Sequence, residues 1–161
     1  MDIEWLELPD ASYMGRVAMR LGLAAMLGGL VGAQRESQGK AAGLRTHMTV
    51  SLAAATFVLV ALEATGGSGN LGSVIQGIAA GVGFLGAGTI LKKSSDEDIQ
   101  GLTTAATIWL TAAIGVAAGT GHGWMAFFVV VAAWLILSIL QGAARLINPN
   151  DASGNRKPRG D

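Results

Sequence analysis

The chain has no cysteine, which excludes disulfide frameworks, thiolate metal sites and cysteine nucleophiles. Two histidines, His47 and His122, are too few for a histidine-rich metal site. Charge is scarce: 14% of residues carry one, against roughly a quarter in soluble domains. The net charge is zero, so nothing attracts nucleic acid. Three prolines and the lack of a G-X-Y period exclude a collagen-like chain. Residues 1–10 hold Asp2, Glu4, Glu7 and Asp10 but no lysine or arginine, so a cleavable signal peptide with a basic leading region is not expected.

What is present is apolar surface and glycine: 51% of residues are hydrophobic and 24 of 161 are glycine. In a soluble helix each glycine costs about 1 kcal/mol relative to alanine. Between membrane helices small residues instead let backbones approach closely. A bilayer core of ~30 Å takes about 20 apolar residues per helix, and five stretches fit that need. They run from Arg16 to Ala33, His47 to Leu62, Leu71 to Leu91, Leu102 to Ala118 and Trp124 to Ala144. The expected fold class is therefore all-α, a polytopic bundle of about five transmembrane helices.

The cations orient it. Arg35, Lys40 and Arg45 fall in the first connection, Lys92 and Lys93 in the third, and Arg145, Arg156, Lys157 and Arg159 after the fifth stretch. The second and fourth connections, residues 64–70 and 120–123, hold none. Cytoplasmic loops collect lysine and arginine, so the N-terminus is expected outside and the C-terminus in the cytoplasm. Only an odd number of crossings keeps those cations on one side. The expected organisation is an acidic extracytoplasmic segment (1–14), a transmembrane domain (15–146) and a disordered polar tail (147–161). Trp5 and Trp124 then lie near the outer boundary, where indole rings are favoured.

Several patterns invite a functional reading. Gly81, Gly83 and Gly86 match G-x-G-x-x-G, but a dinucleotide site needs a preceding strand and an acid about 20 residues on. Neither is found here, since the glycines sit in an uncharged apolar run. Gly39-Lys40 lacks the glycine spacing of a phosphate loop. The pairs Gly77/Gly81 and Gly115/Gly119, and the stripe Ala18, Gly22, Ala25, Gly29, Gly32 and Glu36, read instead as close-packing faces. On that reading leucine at Gly83 or Gly86 abolishes function through lost packing. The glycine density of 77–88 also permits a broken or re-entrant segment. A second stripe, Gln100, Thr104, Thr107, Thr111 and Gly115, can bond across helices or back to its own carbonyls.

Arg20 stands about a turn inside the first stretch, where it either snorkels to the headgroups or pairs with Glu63. Mg²⁺ wants carboxylate and water oxygens in octahedral array. No carboxylate lies deep in any stretch, because Glu36 and Glu63 stand at ends and Asp96, Glu97 and Asp98 form a loop run. No metal site, cofactor or catalytic residue is therefore expected, and the protein is not expected to be an enzyme.

Three ordered motifs resemble the MgtC/SapB membrane proteins. The first runs through Gln34, Arg35 and Glu36 to Gly43, Leu44, Arg45, Thr46 and His47. The second holds Gly81, Gly83, Phe84, Gly86 and Gly88, and the third Gly101, Leu102, Thr103, Thr104 and Trp109. The resemblance covers about residues 16–145 and implies a bacterial inner-membrane protein linked to growth at low magnesium and survival in phagocytes. It implies action on magnesium transport or on the membrane ATP synthase. The family commonly has glutamate where Gln34 stands and a basic residue near Ser73, and many members continue into a soluble domain. The expected role is magnesium homeostasis or adaptation to low magnesium, exerted in the bilayer through another membrane protein or through self-association. The competing expectation is a small-solute or Mg²⁺ transporter whose path is lined by Arg20, Gln76, Thr107 and Thr111.

Overall fold

A computed structural model describes residues 10–67, 70–92 and 99–147. The acidic segment up to Pro9 with Trp5, the run Asp96, Glu97 and Asp98 with Lys93, and the tail from Asn148 lie outside the described residues. Among the described residues five helices are formed: α1 (Ala11–Ser37), α2 (Leu44–Ala64), α3 (Leu71–Ala87), α4 (Leu102–Gly119) and α5 (Gly123–Ile147). Between α3 and α4 two strands of two residues each, β1 (Leu91–Lys92) and β2 (Ile99–Gln100), pair antiparallel with Leu91 opposite Gln100. The architecture is thus the expected all-α bundle. Helices α1, α2 and α4 are each long and apolar enough to cross a membrane. Helix α3 and the stretch Gly123–Ile139 of α5 are shorter apolar helices.

Helix ends follow local chemistry. After α1, α2 and α4 the chain turns through Gly39, Gly66 and Gly121, all at positive φ. In each case the next amide reaches back to the third-last helical carbonyl: Lys40 to Arg35, Gly67 to Leu62 and His122 to Ala117. These are Schellman closures, and only glycine takes the left-handed position without strain. Asn70 starts α3 by accepting from the Gly72 amide at 3.0 Å. The third apolar stretch is one continuous helix rather than a broken one, and it stops at Ala87, with Leu91 already in β1.

The core is built from small residues on α1, α2 and α4. A Cβ added at Gly28 would lie 2.6 Å from Ser51 Cβ, and one at Gly32 would lie 2.8 Å from Leu44 Cα. From the other side, a Cβ at Gly115 would strike the Ser51 carbonyl, and one at Gly119 would lie 2.9 Å from the Ala55 carbonyl. Helix α2 is therefore clasped between glycines of α1 and α4, and Ser51 touches both. Around this lie Ala24, Leu27, Val31, Ala55, Ile114, Ala118, Ala126 and Val130, all buried.

The small-residue expectation thus holds on α4 and on the C-terminal half of the α1 stripe, at Gly29 and Gly32. It does not hold on α3 within this chain. Gly77, Gly81 and Gly83 face open space, and Gly86 makes only ordinary contact with Ala105 at 3.4 Å. Gly22 in α1 likewise meets nothing. Large apolar side chains cover the outside, among them Met19, Phe57, Phe84, Trp109, Phe128 and Ile139. That belt exceeds the few hundred Å² of apolar patch tolerated on soluble monomers.

Candidate functional site

Two arginines tie α1 to α4. Arg20 Nη1 donates to the Gly119 carbonyl at 3.1 Å, and Arg35 Nη2 donates to Thr104 Oγ1 at 2.8 Å. The arginines are 15 residues apart on α1, and their acceptors are 15 apart on α4 (35 − 20 and 119 − 104). The two helices therefore run antiparallel and in step. Connections one and three consequently lie at one end of the bundle, and connections two and four at the other.

The end with connections one and three holds the buried polar groups. Arg35 is 1% exposed in the last turn of α1, and His47 and Ser51 are fully buried one turn apart on α2. Among the described residues Arg35 has no ion-pair partner. A buried charge without one is costly unless hydrogen bonds hold it, and Thr104 supplies the one formed here. His47 Nδ1 lies 2.8 Å from the Gly43 carbonyl. A carbonyl only accepts, so Nδ1 carries the proton, and Nε2 is an acceptor when the ring is neutral. Gln34 Nε2 donates to Ser138 Oγ at 2.8 Å, joining α1 to α5. Among the described residues, Gln34 Oε1, Arg35 Nε, His47 Nε2 and Ser51 Oγ are buried without a hydrogen-bond partner.

The cluster therefore offers one donor (Arg35 Nε), two acceptors (Gln34 Oε1 and His47 Nε2) and a hydroxyl able to do both. None of these groups is a carboxylate. They are a poor cage for Mg²⁺, which wants oxygen ligands and carboxylate charge. No group of three or more His, Cys, Asp or Glu able to hold a metal occurs among the described residues.

The remaining motif residues are dispersed. Glu36 is exposed, and its Oε2 accepts from the Leu44 amide at 2.7 Å, so the carboxylate caps α2 from the preceding helix. A Cβ at Gly43 would press on that carboxylate at 2.7 Å. Leu44, Arg45 and Thr46 are exposed on the first turn of α2. Gly81, Gly83, Phe84 and Gly88 are exposed on α3 or its C-cap, Phe84 at 81%. Gly101 sits at φ +95, where a Cβ would strike the Thr89 carbonyl, so the turn from β2 into α4 requires glycine. Leu102, Thr103 and Trp109 face outward.

The residues of the solute-path expectation are not brought together. Gln76 is exposed on α3, while Thr107 and Thr111 are buried and donate to carbonyls of their own helix, those of Thr104 and Thr107. Arg20 and Glu63 line one cleft at the far end without forming an ion pair. Sequence reasoning did not single out Ser51, which is buried, or Ser138, which is exposed and accepts from Gln34. The recoverable signal was periodic: His47, Ser51, Ala54, Ala55 and Val58 share one helical face, and that face is the buried one.

An apolar groove of about 780 Å³ opens between α2 and α3, lined by Ala53, Phe57, Val60, Gly77, Gly81 and Leu85 among others. Helix α3 leans on α4 and touches α2 more lightly, which leaves its glycine face uncovered.

The pattern described as MgtC family matches residues 21–146. Protein SrpB of Synechococcus elongatus is 44% identical over 125 residues, covering 71% of this chain and 68% of that protein. YhiD of Escherichia coli K12, whose name makes it a candidate magnesium transporter, is 39% identical over 140 residues (82% of this chain, 64% of that protein). Protein MgtC of Salmonella typhimurium is 38% identical over 138 residues, or 84% of this chain and 58% of that protein. The chain therefore spans about three fifths to two thirds of the length of these relatives. No solved structure matches it.

Proposed function

Because the chain belongs to the MgtC family, we propose that it serves magnesium homeostasis or adaptation to low magnesium by contacting another membrane protein. It is a membrane protein, and the proposed setting is the bacterial inner membrane, crossed five times with the N-terminus outside. The proposed role is binding, not catalysis. The link to magnesium rests on the names of relatives, one called a candidate magnesium transporter.

One observation carries the contact reading: Gly77 and Gly81 of α3 meet nothing within this chain and line an open apolar groove. In a bilayer, helix association depends on close packing of small residues, because lipid is as apolar as leucine. A glycine face left open inside its own chain is suited to a helix from elsewhere, whether a different protein or a second copy. The transport reading has less support, since its residues are scattered and the threonines bond to their own helix.

A photo-crosslinking residue at Phe84 in cells tests the proposal. A discrete adduct with one membrane protein, lost when Gly81 is changed to Leu, is the expected result. Mg²⁺ flux through liposomes holding only this chain would favour transport and remove the need for a partner.

A further inference from the structure

At the end of the bundle away from Arg35, the first turns of α1 and the last turns of α2 leave a cleft of about 390 Å³. Leu59 and Leu62 give it an apolar wall, and Tyr13, Arg16, Arg20 and Glu63 also line it. Arg16 and Arg20 are one helical turn apart and so share a face of α1. Arg20 spends one N–H on the Gly119 carbonyl, and a guanidinium carries five. Arg16 is exposed, 5.9 Å from the centre of the Tyr13 ring and 3.4 Å from the Ser12 hydroxyl.

Glu63 stands in the last turn of α2, where the helix dipole is negative and disfavours a carboxylate. Among the described residues it forms no ion pair, although both arginines line the same cleft. Two cations and one anion therefore meet in one cleft without neutralising one another. Helix α1, at 27 residues, is roughly 40 Å long, close to the ~40–45 Å of a bilayer with its headgroups. Its first turns, and the cleft with them, fall in the headgroup layer.

The geometry points to this cleft as a binding site for the headgroup of an aminophospholipid, with phosphodiester oxygens on Arg16 and Arg20 and the primary ammonium on Glu63. An acyl chain then lies along Leu59 and Leu62. The match is one of charge and hydrogen bonding. A phosphodiester with an ammonium completes all three charged groups, whereas a glycerol headgroup leaves Glu63 unpaired. A choline headgroup has no N–H to give the carboxylate. Free phosphate is repelled by Glu63 and gains nothing from the leucines. This site is separate from the α3 face, so its failure leaves the partner reading standing.

Native mass spectrometry of the full chain in detergent tests it, using phosphatidylethanolamine, phosphatidylglycerol and phosphatidylcholine of identical acyl chains. The ethanolamine lipid is expected to be retained over the other two, and Glu63→Gln to erase that preference. Arg16→Gln is expected to weaken retention of all three lipids about tenfold, the worth of one charge-assisted hydrogen bond. Equal retention of the three lipids by the parent chain overturns the assignment. So does a preference that survives Glu63→Gln, or displacement of the lipid by inorganic phosphate, which marks a free-anion site. Both side chains are exposed, and melting temperatures equal to the parent's verify that the variants fold.

Discussion

Arg35 in the last turn of α1 donates to the hydroxyl of Thr104 in the first turn of α4 at 2.8 Å, and this is a fully buried hydrogen bond. It binds together two segments that are 69 residues apart in sequence. A guanidinium out of water needs acceptors more than a neutral donor does, so Thr104 holds a disproportionate share of this end of the bundle.

Replacing Thr104 with valine keeps the shape and removes the acceptor. We expect a loss of roughly 1.5–3 kcal/mol, the range for a hydrogen bond to a charged group. Denaturant unfolding in detergent measures it, with Thr104→Ser retaining most of the stability. Unfolding of the valine variant at the parent's midpoint would show that Arg35 finds its acceptor elsewhere.

Glycines on α4 and α3 should behave oppositely. Leucine at Gly115 collides with the α2 backbone at Ser51, and overpacking of this sort costs about 1–3 kcal/mol or more. Leucine at Gly83 meets open space and should leave the melting temperature unchanged while still disturbing any partner seated on α3. Any loss of function in the Gly83 variant then arises outside the chain's own packing. A normal melting temperature for the Gly115 variant would contradict the clasp around α2.

Glu36→Ala removes the cap of α2. Loss of a capping oxygen costs about 1 kcal/mol, and the carboxylate's attraction to the helix dipole goes with it. Glu36→Gln, which keeps an acceptor oxygen, should recover much of the difference in a thermal melt. Equal melts for the alanine variant and the parent count against a capping role.

The chain has no native cysteine, which makes its orientation directly measurable. Ala41 and His122 are exposed in connections one and four, at opposite ends of the bundle. An impermeant maleimide applied to intact spheroplasts should label His122→Cys and spare Ala41→Cys until the membrane is opened. Labelling of both from outside, or the reverse pattern, defeats the proposed five-crossing topology.

Much of this was legible from composition. Apolar runs of bilayer length and a glycine after each of three helices depend only on local chain chemistry, so all five helices fall close to their expected places. Helix α1 extends beyond its apolar stretch at both ends, to Ala11 and Ser37, because hydrogen bonding continues where hydropathy stops. The small-residue stripes could not be ranked from sequence. Gly77/Gly81 and Gly115/Gly119 carry the same spacing, yet only the second pair is covered. Spacing places residues on a common face without saying whether a neighbour lies opposite it.

The sequence by itself determined the solvent, the helices and their ends, since each depends on residues within a few turns and on transfer out of water. Only the tertiary structure decided that Arg35 is buried against Thr104, that Arg20 reaches Gly119 and that Gly77, Gly81 and Gly83 stay uncovered. Those outcomes depend on which helix packs beside which, a choice made by contacts between residues 69 to 104 positions apart that local patterns do not encode.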